Sequence, residues 1–243
     1  MILIDYNAIA ISNVVAGGID VEENMVRHMI LNSIRMHRGK ESTMDWTELF
    51  RITNMVLEEI KTNFPWKVVE VDDCEADDII GELVRGTQEF GQHEDVMIIS
   101  GDKDFAQLQK FPNVAQYSPV QKKYIKEENP RLQIWNLVLK GDTSDGVPNV
   151  LSSDNCFVDG IRQTPLRQNK IDQLIEDPKS LGHEVYRNYT RNLNLIDLEY
   201  TPDRIKQKIQ NVYNAYTVPK QNILNYLMEN RCRLLIEDLN DFL

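Results

Sequence analysis

Carboxylates crowd into a few short stretches of this chain. Asp5 closes the apolar run Ile2-Leu3-Ile4, and Glu75, Asp77 and Asp78 fall within four consecutive positions. Asp102 and Asp104 flank Lys103, and Asp142 and Asp145 precede Gly146-Val147-Pro148. Ionised carboxylates meeting in one crevice repel unless protons or cations neutralise them. Hard oxygen donors, with no His or Cys inside these clusters, favour Mg²⁺ or Mn²⁺ over zinc. Two such ions about 4 Å apart activate a water and stabilise the leaving oxygen in phosphodiester hydrolysis, with no side-chain nucleophile.

Plainer chemistry explains each acid taken singly. An Asp after a strand caps the next helix, and acids in a first turn complement the helix dipole. Capping uses one acceptor per helix, however, and not Glu75, Asp77 and Asp78 together. The run Lys140-Gly141-Asp142-Thr143-Ser144-Asp145-Gly146-Val147-Pro148 is either an Asp-Gly turn between helices or a hairpin. The hairpin would add metal ligands and turn backbone N–H groups, at Gly146 and Val147, toward a phosphate. An Asp-x-Asp phosphatase wants its pair after the first strand with one Asp as nucleophile, whereas Asp102-Lys103-Asp104 follows a later one.

The elements that must position these acids alternate. Ile2–Ile4 reads as a strand, and residues 21–37 and 43–62 read as amphipathic helices separated by Arg38-Gly39-Lys40. Val68–Val71 has strand composition and leads to a helix with Ala76, Ile79, Ile80, Leu83 and Val84 on one face. Val96–Ser100 is the clearest buried strand, with a further one at Val114–Tyr117. The alternation predicts an α/β fold: a mostly parallel sheet flanked by helices, with the acids beyond the strands' carboxyl ends. After about residue 132 helical patterns dominate, at 170–176, 184–196, 203–216 and 220–230. The expected division is an α/β metal-binding domain over 1–131. A helical C-terminal nucleic-acid-binding region over 132–243 would contain a helix-hairpin-helix-like element.

Composition agrees with a globular intracellular protein: 243 residues, 42% hydrophobic, with apolar runs too short to span a membrane. The N-terminus lacks the basic region and long apolar stretch of a signal peptide. Cys74, Cys156 and Cys232 are scattered and suggest no disulfide framework. Net charge is −11, but residues 71–104 carry eleven acids and two bases. Residues 105–140 instead carry six bases and two acids. A concentrated acidic site beside a mildly basic surface suits a metal-dependent phosphodiesterase.

In this order, Leu3-Ile4-Asp5, Val26-Arg27-His28 through Asn32-Ser33-Ile34, and Glu75-Ala76-Asp77-Asp78 resemble the 5′-nuclease (flap endonuclease) superfamily. So do Ile98 through Phe105 with Gln107-Leu108, Pro112-Asn113-Val114, Leu139-Lys140-Gly141-Asp142, Asn192-Leu193 and Leu195-Ile196-Asp197. Within that superfamily the series looks most like the ribonuclease H branch of T-even-type phages, and it runs nearly end to end. The resemblance implies a 5′→3′ exonuclease and flap endonuclease that removes RNA primers and displaced strands in replication. Its substrate would be branched or 5′-ended DNA and RNA–DNA hybrid, met by a monomer in the cytoplasm, alongside replication proteins. Two Mg²⁺ ions are implied, with Mn²⁺ as a substitute. Asp5, Asp77 and Asp102 resemble ligands of the first, and Asp104, Asp142 and Asp145 those of the second. Glu75 and Asp78 would be ligands or partners of ligands, with Asp5, Asp77, Asp102 and Asp104 as the catalytic set.

Two departures stand out. In the family, the helix matching 21–37 leads to another strand ending in a metal-binding Asp, then to a basic helical segment. Here His37 runs directly into Arg38, so a few dozen residues are missing, and with them one carboxylate and the catalytic Lys/Arg. After Pro148 the family's Gly-rich hairpin is not recognisable, and Arg162, Arg167 and Lys170 are the bases that would hold a duplex backbone. An active nuclease and a cleavage-impaired protein that binds branched nucleic acid are therefore both open readings.

Overall fold

The computed structural model describes residues 1–6, 46–89, 91–143, 145–176, 182–218, 223–237 and 239–242. The expected helix at 21–37 and the His37–Arg38 junction lie outside them. Contact density groups the chain into two compact units: Met1–Ile4 with Asp73–Gln210, and Asp5–Asp72 with Asn211–Leu243.

The first unit holds a four-stranded sheet in the order β1 (Ile2–Ile4), β2 (Val96–Ile99), β3 (Val114–Ser118), β4 (Lys123–Ile125). β1, β2 and β3 are mutually parallel, and β4 returns antiparallel to β3. The mostly parallel α/β expectation therefore holds. β4 was not foreseen; only Ile125 in it is apolar enough to be half-buried, with Lys123 and Tyr124 exposed. Ile4 pairs with Ile99 and Ile99 with Tyr117, which aligns the ends of the parallel strands.

The pleat alternates as the sequence demands. Val96 and Ile98 of β2 and Val114 of β3 point into a core with Ile80, Val84, Phe105 and Leu108. Ile80 and Val84 come from α1 (Ala76–Gln88), and Phe105 and Leu108 from the 3-10 turn Asp104–Lys110. Ile2 and Ile4, on the other parity of β1, are exposed.

Helices follow the sheet: α2 (Pro130–Lys140), α3 (Gln168–Glu176) and α4 (His183–Ile196). Asn129 caps α2 by accepting the Leu132 N–H, with Pro130 in the first turn, where its missing N–H costs nothing. These helices enclose a second core of Val138, Leu139, Val150, Ile171, Leu174 and Tyr189, with Trp135 stacked on Tyr189 at 5.6 Å between centroids.

The second unit has its own small core. Phe64, directly after the helix Trp46–Asn63, packs with Ile223, Tyr226 and Leu227 of the helix Ile223–Glu229, and the Tyr226 hydroxyl donates to Glu59 Oε2 at 2.6 Å. In this unit the expected strand Val68–Val71 is a correction: it joins no ladder among the described residues. Strand composition reflects a fit to a half-buried pleated surface and forms a ladder only against a free neighbouring edge.

Leu139, fully buried in the second core, is the side chain to remove as a test of that core. Leu139→Ala should cost about 2–5 kcal/mol of unfolding free energy, read from the urea midpoint at constant m-value. A loss under about 1 kcal/mol would mean these helices do not close on it.

Candidate metal centre

The turn after β2 is built by hydrogen bonds to main chain. Ser100 is buried, its Oγ accepts the Asp102 N–H at 3.1 Å, and Asp102 Oδ1 accepts the Asp104 N–H at 2.9 Å. Gln116, fully buried on β3, donates its amide to Ser100 O at 3.1 Å and to Asp102 O at 2.5 Å. Its own Oε1 accepts from Gln109 at 3.3 Å, and Gln109 also holds Ile125 O and the Glu127 N–H. The strand pair thus fixes the loop that carries Asp102 and Asp104.

The opposing wall is the loop after α2. Asp142 and Val147 form an isolated antiparallel bridge, with the Val147 N–H donating to Asp142 O at 2.7 Å. Gly141 has φ +70, and a Cβ there would stand 2.3 Å from Val147 O, so only glycine allows this approach. α4 clamps the loop from behind. Asn192 donates to Val138 O at 2.7 Å and Pro148 O at 2.9 Å, and Asn188 donates to Val150 O and Ser152 O.

These two walls bring Asp104, Asp142 and Asp145 together, with one carboxylate oxygen from each lying within 4.8 Å of the others. Lys103 Nζ reaches Asp142 Oδ2 at 2.5 Å. Burial, and then the charge of Asp102, push the Asp104 carboxyl up to about 6. Burial and then Asp142 raise Asp145 as well. Asp104 Oδ1 is buried with no hydrogen-bond partner, the state expected of a ligand atom awaiting a cation. Three hard oxygens with an orphaned buried carboxylate oxygen fit a divalent ion of the Mg²⁺ or Mn²⁺ type.

The other expected residues are placed differently. Glu75 and Asp78 form a capping box at the start of α1, where Asp78 Oδ2 accepts the Glu75 N–H at 3.3 Å. The other oxygen of Asp78 accepts from Thr201 Oγ1 at 2.7 Å. Asp77 is half-buried in the first turn of that helix. Asp5 is buried directly after β1 and is grouped with the second unit. Asp102 touches the cluster through its bond to the Asp104 N–H. Lys140, Gly146, Arg162 and Arg167 are exposed, Lys170 is half-buried, and Val147 is buried.

Sequence reasoning missed Gln116, Asn188 and Asn192 as the residues that hold the walls. The signal for Gln116 was a polar side chain at the inward parity of a strand, between Val114 and Ser118. For the two asparagines it was an i, i+4 pair of amides on a helix otherwise packed by Tyr189 and Leu193.

Comparison with known proteins adds the following. A family model described as the 5′-3′ exonuclease N-terminal resolvase-like domain matches residues 3–133. A second, described as T4 RNase H, C terminal, matches residues 128–242. The ribonuclease H of Enterobacteria phage T4 is 33% identical over 291 residues, covering 99% of this chain and 95% of that protein. An alignment of 291 positions against a chain of 243 leaves at least 48 positions that face no residue here. The solved T5 protein co-crystallised with metal ions matches at TM-score 0.54 and 14% identity, covering 88% of this chain and 98% of that one. A T5 5′-exonuclease mutant matches at TM-score 0.50 and 16% identity, over 88% of this chain and 97% of that one.

Two measurements test this geometry. Gly146 also has positive φ (+72), but a Cβ there would meet nothing within 4 Å among the described residues. Gly146→Ala should cost about 1–2 kcal/mol from its backbone alone, and Gly141→Ala several-fold more, read by urea unfolding. Equal losses would show that the close approach at Gly141 is absent. With the Asp104 carboxyl at about 6 against an ordinary 3.8, the folded metal-free protein binds more protons than the unfolded chain between those values. Its stability therefore falls as pH rises through that window. In EDTA, the Tm of the parent should drop relative to Asp104→Asn across it; parallel curves would refute the shift.

Proposed function

Since the chain belongs to the 5′-nuclease (flap endonuclease) superfamily, close to phage ribonuclease H, and is assigned as a metal-dependent nuclease, we propose the following reaction. It hydrolyses phosphodiesters of branched or 5′-ended DNA and RNA–DNA hybrids as a 5′→3′ exonuclease and flap endonuclease in primer removal. The observation that carries this reading is the convergence of Asp104, Asp142 and Asp145 from two separate walls. In this reading those three hold one divalent ion. Asp102, fixed by Gln116, joins Asp77 toward a second, with Glu75 and Asp78 setting the start of the Asp77 helix.

The ion, when bound, lowers the pKa of a coordinated water and neutralises charge on the phosphate. The chain's own part is positional. The hydrogen bonds of Ser100, Asp102 and Gln116 keep the carboxylates of the first wall aimed at the second. The exposed Lys140, Arg162 and Arg167, with Lys170, would contact backbone phosphates on the C-terminal side. Gly146, with open space around it, leaves room for a nucleic-acid backbone to come close. The Val147 N–H is engaged with Asp142 O inside the turn, so the approach at the hairpin would rely on the tip. Among the described residues no helix is long and apolar enough to cross a membrane.

A second reading, a protein that binds branched nucleic acid and cleaves it poorly, is favoured by the 48 or more unmatched positions of the alignment with the phage T4 protein. A loss of positive charge at the reacting phosphate typically costs about 10²–10³ in rate. A labelled 5′-flap substrate separates the two. The proposed nuclease releases short products only with Mg²⁺ or Mn²⁺, and Asp142→Asn lowers the rate by at least about 10²-fold. Retained binding with no product under either metal would sink the cleavage assignment and leave the binding protein.

A further inference from the structure

The chain itself supplies a cation to the carboxylate cluster. Lys103 lies between Asp102 and Asp104 in sequence, and its ammonium contacts Asp142 Oδ2 at 2.5 Å, across the gap between the two walls. The main chain at Lys103 is anchored: its carbonyl accepts the Ala106 N–H at 3.1 Å and the Gln133 amide at 3.3 Å. The side chain, beyond its contact with Asp142, is open to solvent: it remains 54% exposed against 6% for Asp142. A compact monovalent charge on a flexible four-carbon stem, whose main chain is held independently of its contact with Asp142, can leave without disturbing the turn.

A divalent ion and the Lys103 ammonium would crowd the single carboxylate of Asp142. A divalent ion shared by Asp104, Asp142 and Asp145 would stand beside the ammonium, and like charges that close repel by an amount that matters even in high dielectric. Without the ammonium, the cluster would lose one positive charge that offsets repulsion among the acids. We propose that Lys103 is an internal counter-ion of this site: it holds Asp142 in the metal-free protein and is displaced when the divalent ion binds. The inference rests on the cluster being a metal site. It assigns Lys103 a task that none of the carboxylates performs, setting how tightly the site takes its metal.

Several other groups face the same space. Asp104 and Asp145 act on the Lys103 charge after Asp142, and Asp102 lies one residue away.

The test is titration calorimetry with MnCl₂ on the full chain, comparing the parent with Lys103→Met and Lys103→Arg. Lys103→Met keeps length and removes charge, so it should bind Mn²⁺ about three- to tenfold more tightly. In EDTA its Tm should fall, because the acids lose their counter-ion. Lys103→Arg keeps the charge and should stay within about twofold of the parent affinity. Equal or weaker Mn²⁺ binding by a folded Lys103→Met would overturn the inference while leaving the metal site standing. If the parent itself bound no Mn²⁺ and Asp104→Asn behaved identically, the site reading would fall, and the counter-ion with it.

Discussion

Mutual repulsion among carboxylates is the constraint around which the first unit is organised. Acids do not gather spontaneously, so two rigid walls must force Asp104 toward Asp142 and Asp145 and keep them there. One wall draws its rigidity from the sheet: β2 delivers Ser100 and Asp102, and β3 reaches across with Gln116 to grip their carbonyls. The other draws it from α4, whose Asn188 and Asn192 hold four carbonyls around the loop after α2. The amides do what a hydrophobic contact could not, since they satisfy buried main-chain oxygens and fix direction together.

The strain of this arrangement is relieved locally. One carboxyl, Asp104, is pushed toward its neutral form, and one oxygen, on Asp142, is covered by a lysine. Both are features of a cluster awaiting positive charge. A cluster made only to cap helices looks different, as Glu75 and Asp78 show. There, each acid of the reciprocal pair finds a main-chain donor, and Asp78 gains a threonine hydroxyl besides. The same residue type serves structure in one place and charge assembly in the other, and hydrogen-bond partners tell the two apart.

Much of this was legible in the sequence because periodicity and turn chemistry are local. The alternation of β2, the apolar stripe of α1 and the helices after residue 132 could be read directly, as could acids beyond strand ends. What could not be read depends on neighbours remote in the chain. Val68–Val71 has the composition of a strand and lacks a ladder among the described residues, because composition does not supply the partner edge. β4 forms although Lys123 and Tyr124 face solvent, because the antiparallel return along β3 supplies the edge that its composition does not advertise. Gln116 and the α4 asparagines act over separations of 14 to 54 residues, beyond any window of pattern.

The departure from the family falls unevenly on the two halves of the expected site. Asp104, Asp142 and Asp145, with Lys103, Gln116, Asn188 and Asn192, all lie in the stretch Asp73–Gln210, which forms one compact unit with β1. That stretch lies apart in sequence from the His37–Arg38 junction, where the resemblance leads one to expect a shortened segment. The carboxylate cluster is therefore separable, along the chain, from the segment in which the resemblance leads one to expect a positive charge. The two can be lost independently, and a chain that keeps the first retains the harder one to build: a cation can be supplied by any mobile Lys or Arg, but converging carboxylates need two braced walls.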